Sequence, residues 1–248
     1  MGAMWNEQDQ QLVRIEAHGK KLQDCSLNAS EQVVDLVGQR CLNRWATNLF
    51  PLACQTCRAP LVESADISAD ELSGRDKVLL SLHHAECRVS STTPEEGVDL
   101  WAATTSTAVT VVGDPGDELA LIVINPSCEQ LLVQKGAFGR WRNATLDMFI
   151  DLGFKASTGT FPGMTDTVEA QLDGNRMTVK VVADLPGHTV PVSRSWSLSV
   201  EEETRRKIAR SSYVAVAMTT KTLPTLLSDL TPAFNDPEAV SIGVPLTR

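Results

Sequence analysis

Two short segments rich in metal-ligand side chains restrict the fold of this chain more than any other feature. "CQTC", residues 54–57, places two thiols on either side of a two-residue spacer, and "LHHAEC", residues 82–87, places two histidines ahead of another thiol. A structural zinc site takes four donors in a tetrahedron, usually thiolates and imidazoles. The two segments carry enough donors for one ion, so the pattern predicts that they meet around a metal.

The choice of histidine depends on the structure assumed for the second segment. In a helix, side chains four residues apart lie on the same face, which favours His83 as the partner of Cys87. The predicted zinc ligands are therefore Cys54, Cys57, His83 and Cys87. Two alternatives stay open: His84 is three residues from Cys87, and Cys41 would complete an all-cysteine set. A redox dithiol is disfavoured because no βαβ unit is predicted around "CQTC".

The full pattern is C-x2-C, then 25 residues, then H-x3-C. It resembles the C-C-H-C class of zinc fingers, in which a cysteine knuckle is closed by a ligand-bearing helix. The resemblance covers residues 54–87 alone, and the spacer is longer than the roughly 12–15 residues usual in such motifs. It implies a structural ion that pins a helix over residues 75–87 to the turn after Pro51, because four side-chain ligands leave no position for water.

The N-terminal part of the chain has helical periodicity. Residues 6–50 carry apolar side chains at helical spacing, with Ser30 as a candidate N-cap and Pro51 as a terminator. Residues 63–74 are acidic and are predicted to form a loop. A third helix is expected over residues 75–87, where three apolar side chains share a face.

After residues 88–97, a Ser/Thr/Pro-rich candidate linker, the pattern changes to β. Residues 106–124 and 167–185 are each two β-branched runs joined by a Gly/Asp-containing turn, which is typical of hairpins. Helices are expected after Asn143 and Ser199, and a short helix is expected over residues 224–234. The sequence therefore predicts an α+β protein. A helical zinc-binding module occupies residues 5–90, and a mostly antiparallel-sheet domain with two or three helices occupies residues 98–248.

Charge and hydropathy restrict the partners. The formal net charge is −9, and both halves of the chain are acidic, so binding to nucleic-acid phosphates through clustered cations is disfavoured. A protein partner is favoured over a nucleic acid. No run approaches the roughly 18–20 apolar residues of a membrane span, and no signal-peptide core is visible, which predicts a cytoplasmic protein without membrane contact.

One loop combines cations with aromatic side chains. Residues 134–145, "QKGAFGRWRNAT", contain no acid, and the predicted binding residues in it are Arg140, Trp141 and Arg142. The alternative is that Trp141 packs back onto the sheet. A second acid-free stretch, residues 36–60, carries Arg40, Arg44 and Arg58.

These features favour a non-catalytic binding or regulatory protein with a structural zinc site of three cysteines and one histidine. It would recognise another macromolecule, with a protein favoured. One alternative is a nucleic-acid-associated protein that uses the zinc module and nearby arginines. The other is an enzyme with a cleft in the C-terminal domain near His188, Cys128 or Asp166. The sequence lacks G-x-S-x-G, a glycine-rich phosphate loop and H-E-x-x-H, and leaves catalytic activity open.

Overall fold

The computed structural model describes residues 12–15, 25–72, 76–88, 92–94, 105–112, 119–156, 167–183, 192–221 and 238–248. Proximity of Cα atoms divides the chain into two units, each described by itself. The first unit comprises residues 1–104 and 128–144, and the second comprises residues 105–127 and 145–248. The segment 128–144 thus belongs with the N-terminal unit, whereas the sequence-based boundary placed it in the domain over residues 98–248.

Strands dominate both units. In chain order they are β1 (Leu12–Ile15), β2 (Ser26–Ser30), β3 (Ser64–Leu72), β4 (Lys77–His83), β5 (Thr92–Pro94), β6 (Ser106–Val112), β7 (Leu119–Asn125), β8 (Gln130–Lys135), β9 (Trp141–Asn143), β10 (Lys155–Ala156), β11 (Val168–Asp173), β12 (Arg176–Ala183), β13 (Val192–Ser199), β14 (Tyr213–Met218) and β15 (Val240–Thr247). The helices are α1 (Glu31–Val37), α2 (Gln39–Trp45), α3 (Asp147–Asp151) and α4 (Glu202–Ile208).

The predicted α+β fold with a helical zinc-binding module is wrong. Strands account for 51% of the described residues, and helices together with a 3-10 turn over Ala137–Gly139 account for 17%. None of the described helices exceeds seven residues. The protein is mostly β, with two curled sheets, one a half-barrel and the other a near-barrel. Among the same residues, no helix has the length and hydrophobicity needed to cross a membrane.

The sheet of the first unit has the order β1-β2-β3-β4-β8-β9, with β5 beside β3. β2 and β5 run parallel to β3, and the other neighbours are antiparallel. Between β2 and β3 the chain forms two short helices in place of the long predicted one. Ser30 does cap α1, since its Oγ accepts a hydrogen bond from the Val33 N–H at 3.4 Å. Gly38, with φ of 91°, then separates α1 from α2.

The error with the largest consequence concerns the segment "KVLLSLH". It forms β4, whereas its apolar spacing predicted a helix. Val78, Leu80 and Leu82 point into the core, and Leu79 on the opposite face is also buried. A short run buried on both faces has no polar alternation, so its periodicity fits a helix as well as a strand. Pairing with β3 and β8 decides in favour of the strand.

β3 was also misread, as an acidic loop. Ala65, Ile67 and Ala69 alternate into the core, while Asp66 and Asp70 lie buried on the other face of the sheet. The two helices pack on the apolar face. The core there is formed by side chains that include Leu27, Val33, Val37, Leu42, Trp45, Ile67, Leu80, Leu82, Leu131 and Val133.

The sheet of the second unit has the order β13-β12-β11-β15-β14-β7-β6, with β10 beside β15. It contains the two hairpins expected from the sequence, β6 with β7 and β11 with β12. β14 runs parallel to β7, and β15 runs parallel to β11. α3 begins at Asp147 without a side-chain cap, so Asn143, which lies in β9, does not cap it. The predicted helix around residues 224–234 lies outside the described residues.

Candidate metal centre

The first metal-ligand segment is a tight turn between two bridged residues. Ala53 and Pro60 form an antiparallel bridge, and within it the Cys54 N–H donates to the Ala59 carbonyl at 2.8 Å. The Arg58 N–H donates back to the Cys54 carbonyl at 2.9 Å. Arg58 has φ of 65°, the left-handed conformation that closes the turn. This geometry brings the side chains of Cys54 and Cys57 to the same side of the turn.

The second segment is another turn, which follows directly after β4. Its two donor residues are His84 and Cys87, again separated by two residues, and the N–H groups of Cys87 and Arg88 both donate to the His84 carbonyl, at 3.0 and 3.1 Å. The two turns are joined at the end of β4, where the Gln55 N–H donates to the Leu82 carbonyl at 2.9 Å. The site therefore consists of two turns of equal spacing held side by side.

Four donors converge between these turns. The ligand atoms of Cys54, Cys57, His84 and Cys87 all lie within 4.8 Å of one another. His84 Nδ1 is 3.4 Å from Cys57 Sγ and 3.8 Å from Cys87 Sγ. Tetrahedral zinc with bonds of about 2.0–2.3 Å sets its ligand atoms roughly 3.5–3.8 Å apart. These four residues lie close enough to hold a metal ion.

The orientation of the His84 ring suits a metal ligand. Its Nε2 lies 3.0 Å from the Pro60 carbonyl oxygen, which can only accept, so in the neutral ring Nε2 carries the proton and Nδ1 has a free lone pair. A hydrogen bond of this kind to the second ring nitrogen fixes the tautomer in most histidine–metal sites. The Nδ1 lone pair is directed at the three cysteines.

No protein-family model, characterised protein or solved structure matches the chain.

His83, the histidine preferred on helical spacing, occupies a different position. Adjacent residues at the end of a strand point in opposite directions, so His83 and His84 cannot both face the cysteines. His83 is 3% exposed, and its Nδ1 is 2.9 Å from Thr56 Oγ1 in the middle of the first turn. Burial, reinforced by the charge of Arg88, lowers the His83 pKa to about 4. The structure thus brings His84, rather than His83, to the cysteines and leaves His83 as a neutral support of the turn.

The electrostatics of the thiols differ within the cluster. Burial raises the Cys54 pKa, but backbone N–H groups of Cys57, His84 and Thr56 donate to the sulfur and outweigh this effect, so that the pKa falls to about 7. The His84 N–H lies 3.3 Å from Cys54 Sγ. The Cys87 pKa is raised, first through the hydrogen bond with Cys57 and then by burial and the nearby Cys54. Metal binding takes such thiols as thiolates and releases their protons.

Both turns are anchored by charged side chains that lie outside the ligand set. Glu129 is fully buried, and its carboxylate accepts from the Ala53 N–H at 3.1 Å and from Gln55 Nε2 at 3.2 Å. Its carbonyl accepts from the Leu82 N–H at 3.1 Å. On the other turn, Arg88 Nη1 donates to Asp70 Oδ2 at 3.1 Å, and Nη2 donates to Oδ1. Sequence reasoning missed Glu129, Arg88 and Asp70.

Glu129→Gln is expected to weaken zinc binding about tenfold, because loss of an outer-shell anchor typically costs roughly 10–100-fold in affinity. The amide keeps one acceptor oxygen for the turn but brings an NH₂ group against Gln55. Competition with a chromophoric chelator measures the affinity. Glu203→Gln, at a side chain that is 85% exposed, is the matched control and should change nothing. An unchanged zinc affinity in a folded Glu129→Gln protein would show that Glu129 does not stabilise the site.

The remaining candidates from the sequence lie elsewhere. Cys41 lies in α2 and packs against the core, and the structure does not bring it to the four donors. Cys128 is buried. Arg140 is exposed, Trp141 is half-buried with its Nε1 donating to the Leu36 carbonyl at 3.2 Å, and Arg142 Nη2 donates to Gln134 Oε1 at 3.1 Å. His188 and Asp166 lie outside the described residues.

Proposed function

We propose that this is a non-catalytic binding protein whose first unit holds one structural zinc ion between Cys54, Cys57, His84 and Cys87. The observation that carries the proposal is the convergence of four protein donors within 4.8 Å. A site filled by four side chains leaves no coordination position for water or substrate. Such an ion stabilises the fold and takes no part in a reaction.

The donor set supports zinc over other metals. Thiolates and imidazoles are the ligands that zinc shares with copper and iron–sulfur centres, whereas magnesium and calcium prefer oxygen. Three cysteines and one histidine in a tetrahedral arrangement are typical of structural zinc. The ion would join the turn after Pro51 to the turn after β4, two segments that are also linked by the backbone hydrogen bond from the Gln55 N–H to the Leu82 carbonyl.

A surface for a macromolecular partner lies in the same unit. The turn between β8 and β9 is closed by the Gly136 N–H, which donates to the Arg140 carbonyl at 2.7 Å. At its tip Phe138 is 99% exposed and has φ of 66°. A left-handed backbone at a non-glycine residue costs roughly 1–2 kcal/mol. A strained, fully exposed aromatic beside Arg140 supports a contact loop, and the net charge of −9 favours a protein partner over a nucleic acid.

A matched pair of variants tests the zinc site. We expect His84→Gln to lose stoichiometric zinc, because an amide is a poor replacement for imidazole, and His83→Gln to keep about one zinc per chain. Atomic absorption on protein purified without chelators, under reducing conditions, measures the content. The proposal fails if wild-type protein binds no zinc when supplied with it, or if the loss occurs in His83→Gln and not in His84→Gln.

A further inference from the structure

The first unit contains an open groove between α2 and the turn that joins β8 to β9. Its volume is about 1050 Å³. The lining residues that matter here are Val37, Arg40, Cys41, Arg44, Arg140 and Trp141. The two walls come from the two acid-free stretches of the sequence, residues 36–60 and 134–145, which the fold brings together.

The rim of the groove is cationic although the chain is acidic. Arg40, Arg44 and Arg140 are all exposed, and none of the described residues that line the groove is acidic. The guanidinium groups of Arg40 and Arg140 make no hydrogen bond or ion pair to any other residue that the structure describes. Three guanidinium groups thus lie around one depression on a chain of net charge −9, and such a cluster suits anionic groups.

The floor of the groove is apolar and fixed. Val37 is buried and belongs to the core, and Cys41 and Trp141 pack against it. The indole of Trp141 is held by its hydrogen bond to the Leu36 carbonyl and by Lys135, whose Nζ lies 5.0 Å from the ring centroid. A rigid apolar floor accepts aliphatic side chains without an ordering cost on the protein side.

We infer that this groove binds an acidic segment of a partner protein, in which carboxylates alternate with apolar side chains. The inference rests on the proposed function, since it names the partner chemistry of the same unit. Carboxylates match the planar fork of arginine, and apolar side chains match the floor. A nucleic acid is a poorer match, because polyphosphate binding depends on many cations along the strand and a net charge of −9 opposes it.

The test uses the whole 248-residue chain, loaded with zinc. A fluorescently labelled short peptide in which Glu and Leu alternate is titrated with protein, and the same peptide with Gln in place of Glu is the ligand control. We expect saturable binding of the acidic peptide only. The double variant Arg40→Gln/Arg140→Gln should weaken it by about tenfold or more, as expected for lost charge-assisted hydrogen bonds. Arg210→Gln, at an exposed arginine of the second unit, should leave it unchanged.

Three results would overturn the inference. They are no binding of the acidic peptide, equal binding of its Gln counterpart, and tighter arginine-dependent binding of a deoxythymidine oligonucleotide of the same length. Zinc content measured on the same samples keeps the two proposals apart. If each chain holds about one zinc ion that is lost in His84→Gln, absence of peptide binding contradicts the groove proposal and leaves the zinc proposal standing.

Discussion

Cys54→Ser is expected to abolish stoichiometric zinc binding and to remove the stabilisation that the ion gives to the first unit. A ligand that binds only the folded state stabilises it by about 4 kcal/mol when its free concentration is roughly a thousandfold above Kd. The serine hydroxyl cannot replace the thiolate as a zinc donor at neutral pH. Cys54 is also the donor whose sulfur accepts the backbone N–H of His84, so its loss loosens the second turn as well.

Denaturant unfolding with and without a zinc chelator measures this effect. The denaturant midpoint of the wild-type protein should fall when the chelator is added. The variant should unfold at that lower midpoint with or without the chelator. Cys25→Ser is the matched control, because Cys25 is a half-buried thiol of the same unit that does not belong to the four donors. A Cys54→Ser protein that retains one zinc and the wild-type response to chelator would disprove the ligand assignment.

Leu82→Ala is expected to lower the free energy of unfolding by about 2–5 kcal/mol, the range for removal of a large buried aliphatic side chain. Leu82 is fully buried in the core of the first unit, on the same face of β4 as Val78 and Leu80. Its backbone N–H and carbonyl, which contact Glu129 and Gln55, are unchanged by the substitution. The folded variant should therefore still bind about one zinc per chain.

Val62→Ala provides the comparison in the same region. Val62 is 74% exposed, and its truncation should change the unfolding free energy by no more than about 0.5 kcal/mol. Unfolding of both variants in urea, in the presence of zinc, measures the difference. If Leu82→Ala were as mild as Val62→Ala, residue 82 would not face the core and the strand assignment of residues 77–83 would be wrong.

The participants in the metal centre were more predictable than their arrangement. C-x2-C is a local pattern, and two thiols at that spacing can bind one ion in any turn. Cys54 and Cys57 could therefore be predicted as metal donors without tertiary information. The histidine depended on the secondary structure of residues 77–83. A helix aligns residue 83 with Cys87, whereas a strand that ends at residue 83 leaves residue 84 to begin the second turn.

The misread strand β3 did carry a local signal. Its sequence "SADISADEL" alternates small or apolar residues with polar ones over two-residue steps, which is typical of a strand with one core face. Its acidic residues suggested a loop because buried carboxylates need partners. The partner of Asp70 is Arg88, which lies beyond the next strand and is brought to it by the pairing of β3 with β4. Such a pairing is not visible in a single sequence.

The role of Glu129 could not be predicted from the local sequence, for the same reason. It lies in "PSCEQLLVQ", where nothing distinguishes it from a surface acid before a strand. Its role depends on β8 lying next to β4, a contact between segments separated by two strands of the other unit. The two hairpins of the second unit were predictable because each pairs neighbours in the chain.

Because residues 128–144 belong to the first unit, the order of synthesis limits when that unit can complete its fold. A nascent chain that has emerged only as far as residue 104 has β3 and β4, yet it lacks β8, the strand that pairs with the free side of β4. It also lacks Glu129, whose carboxylate accepts from the Ala53 N–H at the start of the turn that carries Cys54 and Cys57. An unpaired strand edge is a template for association with other chains, and unfinished domains are prone to aggregate during synthesis. The first unit therefore completes its sheet only after β6 and β7 of the second unit have been translated, and a fragment that ends in the Ser/Thr/Pro-rich segment exposes an edge that the whole protein covers.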